Sequence, residues 1–351
     1  MGFLPRPKLW CLVFLVIFCL ALPSWSLAVG GGGPASPISP LHPQKQTDQE
    51  KVTGPPTTGP ILSSGALPMG KGNFAIQPYN YVTFQGGRFS PTWKPRHAGK
   101  DQVTLANAVS LYYGLTENFW VSLFWTYYIY NWVSNIRNPE PGQGRSAEDG
   151  NYGPLSLTFR YRFFEQQGRY PTVTGMFTLG LPSNRGDSVD LGTLPAQVSG
   201  PRNWGFTWGV NLHRYARPFI LYLNLWYFMA TIDKRVEVVD GGLTLKPHNP
   251  WDQVKFNLAA EIPLRWEGGP WVVLLEMTSF WEVGPAFGPR PDTKASAKVT
   301  GLVGMEYIFN PEWRLALAFA FSMLGKNSDI NYTPIITLYK PLNLFRRKSR
   351  H

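Results

Sequence analysis

From Leu155 to Phe163 apolar residues at 155, 157, 159, 161 and 163 alternate with Ser156, Thr158, Arg160 and Arg162. Trp204, Phe206, Trp208, Val210 and Leu212 alternate in the same way with Gly205, Thr207, Gly209, Asn211 and His213. The pattern recurs in Val254, Phe256, Leu258, Ala260 and Ile262, and in Trp313, Leu315, Leu317, Phe319, Phe321 and Met323. A period of two sends successive side chains to opposite faces of an extended strand, so each segment has one apolar face and one that is not. Beyond Gly72 no stretch repeats apolar residues at helical spacing. The chain reads as all-β.

Twelve segments of this kind are predicted, at about 73–85, 102–115, 119–133, 152–163, 170–181, 203–213, 218–236, 252–264, 270–283, 296–309, 313–324 and 330–340. Most exceed the ~5–6 residues of a soluble strand and match the ~9–11 needed to cross a bilayer at a tilt. The connections alternate between long (86–101, 134–151, 182–202, 237–251, 284–295) and short (116–118, 164–169, 214–217, 265–269, 310–312), with a short last one at 325–329. Short turns at one end, long loops at the other and an even strand number are the layout of a transmembrane, antiparallel, up-and-down β-barrel of about 12 strands. Both ends of the barrel then lie on the short-turn, periplasmic side. In the segments beginning at 152, 203, 218, 252, 270, 296 and 313 the apolar row carries no charge. A Lys or Arg on a lipid face costs roughly 2–4 kcal/mol at mid-membrane, which explains that absence. A secreted β-sandwich would have shorter strands and more charge on its open faces. Trp120, Trp132, Trp204, Trp271, Trp281 and Trp313 near strand ends suit interface girdles.

Composition narrows the picture further. The 351 residues are 15% aromatic and 16% charged, with 35 Gly and 32 Pro. Long helices tolerate neither residue, so a helical bundle or doubly wound α/β fold is excluded. Arg6 and Lys8, the apolar run 9–22 and Ser26-Leu27-Ala28 read as a signal peptide over 1–28. Both cysteines, Cys11 and Cys19, fall inside it, so the exported chain has no thiol chemistry. Residues 29–70, rich in Gly and Pro, read as a flexible periplasmic leader, and 71–341 as the barrel. A tail at 342–351 carries Arg346, Arg347, Lys348 and Arg350, a large part of the net charge of +11.

The row opposite the apolar one is expected to line the lumen. Its charges are Arg160, Arg162, Lys255, Lys298 and Arg314 against Glu261, Glu276, Glu282 and Glu306. This near balance argues against a strongly ion-selective pore, and the charges either pair across strands or contact solute. Rings at Trp120, Phe124, Tyr128, Tyr222, Trp226 and Phe228 either fill space or form an apolar slide for solutes. No phosphate-binding loop, zinc-protease motif or nucleophile elbow is present, and His42, His97, His213, His248 and His351 are scattered. No catalytic residue, metal site or cofactor is expected. Arg185-Gly186-Asp187 lies in a long loop and reads as turn chemistry.

Tyr113-Gly114-Leu115-Thr116-Glu117-Asn118 leads into the apolar strand from Phe119. With the opening Leu67-Pro68-Met69-Gly70-Lys71-Gly72-Asn73-Phe74 and the Tyr152-Gly153 entry to 155–163, the chain resembles the family labelled "MetA-pathway of phenol degradation" over roughly 67–340. The resemblance implies an outer-membrane barrel transporter associated with aromatic compounds. The chain departs from the family in Gly153-Pro154, where an Asp is usual, and in its basic end. The reading is therefore an outer-membrane channel or passive transporter for small solutes, aromatic or hydrophobic compounds among them. The alternatives are a lipid-modifying enzyme and a structural or adhesive barrel with a plugged lumen. Expected partners are outer-membrane lipid, small solutes and the barrel-assembly machinery, with no nucleic acid.

Overall fold

The alternating segments pair edge to edge with their immediate neighbours. A computed structural model describes residues 57, 59–65, 68–136, 146–182, 203–231, 233–239, 242–248, 250–286, 291, 294–310 and 313–342, all within one compact unit, Thr53–His351. The expected signal peptide, the Arg185-Gly186-Asp187 loop and the basic tail from Arg346 lie outside the described residues.

The wall strands are β1 (Phe74–Phe89), β3 (Asp101–Gly114), β4 (Phe119–Ser134), β6 (Leu155–Phe164), β7 (Thr172–Leu181) and β8 (Gly205–Ala216). They continue with β9 (Phe219–Ala230), β12 (Asp252–Pro263), β13 (Trp271–Val283), β14 (Ala297–Asn310), β15 (Trp313–Lys326) and β16 (Asp329–Leu342). Each pairs antiparallel with the next, and β16 returns to β1 in the register Phe74↔Leu342 through Arg88↔Asp329, which closes the sheet. Closure leaves no wall strand with an unpaired edge, the condition for a sheet to exist in hydrocarbon. The short extra strands β2 (Pro95–Arg96) and β5 (Ala147–Asn151) pair with the long-loop ends of β1 and β4.

The segment expected at 218–236 is shorter than its pattern suggests. Strand β9 stops at Ala230, and the chain continues as a separate hairpin of β10 (Asp233–Val239) and β11 (Gly242–His248). Apolar alternation does not distinguish a wall strand from a loop hairpin that adjoins it, because both have period two.

The outer surface is apolar. Phe177, Trp208, Val210, Leu225, Val303, Met305, Leu317, Phe319 and Ile336 each expose at least 40% of their surface. Phe119, Phe159, Phe177 and Phe206 stack in sequence across β4, β6, β7 and β8 at centroid separations of 6.4–6.5 Å. A water-soluble monomer does not carry an apolar band around its circumference, whereas lipid solvates one. Trp132, Trp204, Trp271 and Trp281 are exposed near strand ends, as a girdle requires. Trp120 is not part of that girdle. It is 3% exposed and faces the interior, because its position in β4 has the inward parity of Ser122 and Phe124.

A bulge in β4 also reverses one of the expected lumen rings. Asn107 pairs with Tyr128 but Ala108 with Thr126, so Tyr127 is the additional residue. Beyond it Asn131 and Val133 turn inward, and Tyr128 stands 41% exposed on the outside. A bulge shifts side-chain parity by one, a change that strict alternation does not anticipate.

Candidate functional site

The lumen contains a piece of the protein's own chain. Residues 57 and 59–65 fall in the segment expected to be a flexible leader, but here they are bound to the inner wall. The Glu276 carboxylate accepts the N–H groups of Ile61, Leu62 (2.9 Å) and Ser63 (2.8 Å). Ser64 donates its N–H to Asn224 Oδ1 (3.0 Å) and accepts from Asn224 Nδ2 through its carbonyl (3.0 Å). Arg314 Nη1 donates to the Thr57 carbonyl. Backbone groups without secondary structure need such partners when buried, and three wall residues supply them.

The apolar part of this strap has a matching surface. Ile61 is 7% exposed and packs in a cluster with Val272, Leu274, Leu302, Ala316, Ala320 and Ile335. Burying an isoleucine side chain is worth about 1.5–3 kcal/mol. The small inward alanines of β15 leave room for the strap, while its larger outward residues meet lipid. Past the strap the chain crosses beneath the end of β3. A Cβ added at Gly114 would lie 1.7 Å from the Gly70 carbonyl oxygen, so this close approach requires glycine.

Opposite the strap the lumen retains a cavity of about 640 Å³. It is lined by hydroxyls at Ser110, Ser122, Ser156, Thr158, Thr178 and Thr207, and by the rings of Tyr79, Tyr112, Trp120, Phe124, Tyr222, Trp226 and Tyr339. Its charged lining residues are Arg160 and Lys255. Arg160 Nη1 donates to Ser122 Oγ (2.7 Å), while its Nε has no partner. Lys255 Nζ stands 5.3 Å from the centroid of the Phe228 ring. Trp226 Nε1 donates to Asn211 Oδ1 (2.7 Å), which orients the indole along the wall.

The remaining charged candidates lie elsewhere. Arg162 donates twice to Asn118 Oδ1 (3.0 and 2.6 Å) and lies 3.4 Å from Glu165 at the short-turn rim. Glu261 and Glu306 are almost fully buried on β12 and β14, and Glu261 accepts from the Tyr222 hydroxyl (3.2 Å). Glu282 accepts from the Ser296 N–H (2.7 Å) at the long-loop end. Lys298 Nζ lies 3.2 Å from the Asn331 carboxamide oxygen once that amide is turned to satisfy both its atoms. Arg314 also stacks at 5.1 Å over Tyr339. Glu306 pairs in register with Ala316 and Arg314 with Ile308, so the two lie diagonally across adjacent strands.

Sequence reasoning missed Ile61, Asn224 and the strap as a whole. Two signals were available. Ile61-Leu62 is an isolated apolar pair in a polar stretch, and the run Trp271–Leu275 is apolar on both faces. An interior face that is apolar needs a cover.

No family profile matches the chain, and no curated protein matches it. Among solved structures it is similar to an outer membrane channel from Pseudomonas putida F1, with a TM-score of 0.53 at 11% identity, covering 80% of this chain and 100% of that one. The translocator domain of the autotransporter NalP from Neisseria meningitidis matches at a TM-score of 0.45 and 13% identity, over 77% of this chain and 88% of that one. A monoaromatic hydrocarbon channel, CymD, matches at 0.40 and 10% identity, over 78% and 89%. The fold is that of outer-membrane β-barrels.

Proposed function

We propose that the protein is an outer-membrane channel through which small solutes pass passively, alongside the strap. The observation that carries this reading is the cavity of about 640 Å³ left between strap and wall, lined by hydroxyls and aromatic rings together. That volume falls within the ~300–1,000 Å³ of small-molecule sites. Rings beside hydroxyls suit flat, weakly polar solutes, and this agrees with the resemblance to the phenol-degradation barrel family. His213 is not placed for general-base chemistry. It is fully buried against the rings of Tyr215 (4.5 Å) and Tyr222 (5.0 Å), and neither ring nitrogen has a hydrogen-bond partner. A general base needs a proton donor within reach.

The test is swelling of liposomes that carry the purified protein. A monosaccharide-sized solute is expected to enter and a tetrasaccharide to be excluded. Proteoliposomes that stay inert to every small solute would instead identify a structural barrel closed by its strap.

A further inference from the structure

The strap divides the charge of the lumen unequally. On the wall it occupies, Glu276 is covered by three backbone N–H groups. Glu261 and Glu306 are almost fully buried as well, and none of the three carboxylates borders the cavity. On the open side the charged residues are Arg160, on β6, and Lys255, on β12, and no Asp or Glu lines the cavity among the described residues. Neither cation forms an ion pair among those residues. The near balance of charge in the sequence is therefore not the balance that a solute meets.

We propose that the strap acts as an electrostatic mask and that the cavity selects small organic anions, carboxylates with a flat apolar body. This rests on the channel reading above and names its substrate class. Arg160 and Lys255 sit at different heights. Lys255 is three residues into β12 from the long-loop end, and Arg160 is four residues before the short-turn end of β6. An anion entering from the long-loop side meets the ammonium first and the guanidinium second, and leaves one for the other without crossing an acidic ring. A ring of like charge sets the sign of the permeant ion in narrow pores, and a low-dielectric wall strengthens its effect. Arg160 is suited to a carboxylate because its guanidinium borders the cavity and is oriented there by the bond from Nη1 to Ser122, which leaves the other terminal N–H groups as donors for a bound anion. Trp226, Cα partner of Lys255, and Trp120, Cα partner of Arg160, place an indole beside each cation for the apolar body.

The test is the reversal potential of the full exported chain in planar bilayers under a potassium chloride gradient, repeated with sodium benzoate. A potential of the sign set by anion flow is expected in both salts. The Arg160→Gln, Lys255→Gln double variant should bring it close to zero. A variant lacking 57–65, checked for heat-modifiable migration so that a folding failure is recognised, should move it toward cations as Glu261, Glu276 and Glu306 become exposed. Current that is cation-preferring or unselective in the unaltered protein overturns this inference and leaves the channel reading standing. So does a reversal potential unchanged in the double variant. A protein that inserts without any current overturns the channel reading, and this inference with it.

Discussion

The most informative pair of residues is Phe159 and Arg160. Phe159 takes part in the outer aromatic stack, and Arg160 borders the cavity one position later. Exchanging the two environments puts a guanidinium in hydrocarbon. Phe159→Arg should therefore cost about 2–4 kcal/mol and impair assembly. Arg160→Ala should leave folding nearly intact, because the hydrogen bond to Ser122 is replaceable by water. Urea unfolding from detergent or lipid checks both. The two cysteines of the sequence, Cys11 and Cys19, lie ahead of the described residues, so in a chain with both replaced by serine a cysteine at 159 should react with a lipid-confined maleimide and one at 160 with a water-soluble probe. Glu276 is the corresponding residue for the strap. Glu276→Ala removes the acceptor of three N–H groups, at roughly 1–3 kcal/mol for each one left dry. Water entering the lumen offsets part of that, so the expected result is a loosened strap in an intact barrel. Limited proteolysis near 57–65 should then become faster than in the unaltered chain, with heat-modifiable migration unchanged. Equal proteolysis rates would mean that Glu276 does not hold the strap.

At the scale of elements, much of the wall was legible in the sequence, and the reason is physical. Lipid punishes charge on one face of every strand, so the parity of Leu155–Phe163 or Trp204–Leu212 is written in residue type. The lumen imposes no such rule, and that is where reading failed. The bulge at Tyr127 turns Tyr128 outward, yet an aromatic residue is acceptable on either side of β4, so composition carries no trace of the switch. The hairpin β10–β11 prolongs the alternation of β9 for the same reason. The strap escaped because Gly, Pro and Ser around it look like a linker, and its hydrogen bonds come from residues 160 or more positions away. Of the candidate lumen charges, Arg160 and Lys255 stand at the cavity, whereas Arg162 and Glu282 serve the rims. The β4 bulge makes its own prediction. Cysteines at 128 and 129 should label from lipid and from water respectively, the reverse of what uninterrupted alternation from Trp120 would give. Gly114→Ala should displace the Met69–Gly70 crossing, visible as faster cleavage on the strap side of the barrel.

For the whole molecule, closure of β16 onto β1 implies a barrel that resists detergent until heated. Folded protein should run faster on gels than boiled protein, and its circular dichroism should be dominated by strand. Recovery as a soluble monomer without detergent would contradict the apolar outer belt. The lumen is partly filled by its own chain, and the proposed path for solute is the space left beside it. Single-channel conductance in planar bilayers tests this most directly, comparing the unaltered protein with a variant lacking 57–65. A small, finite conductance that rises clearly when the strap is removed is expected. Identical conductance in the two proteins, or none in either, would contradict it.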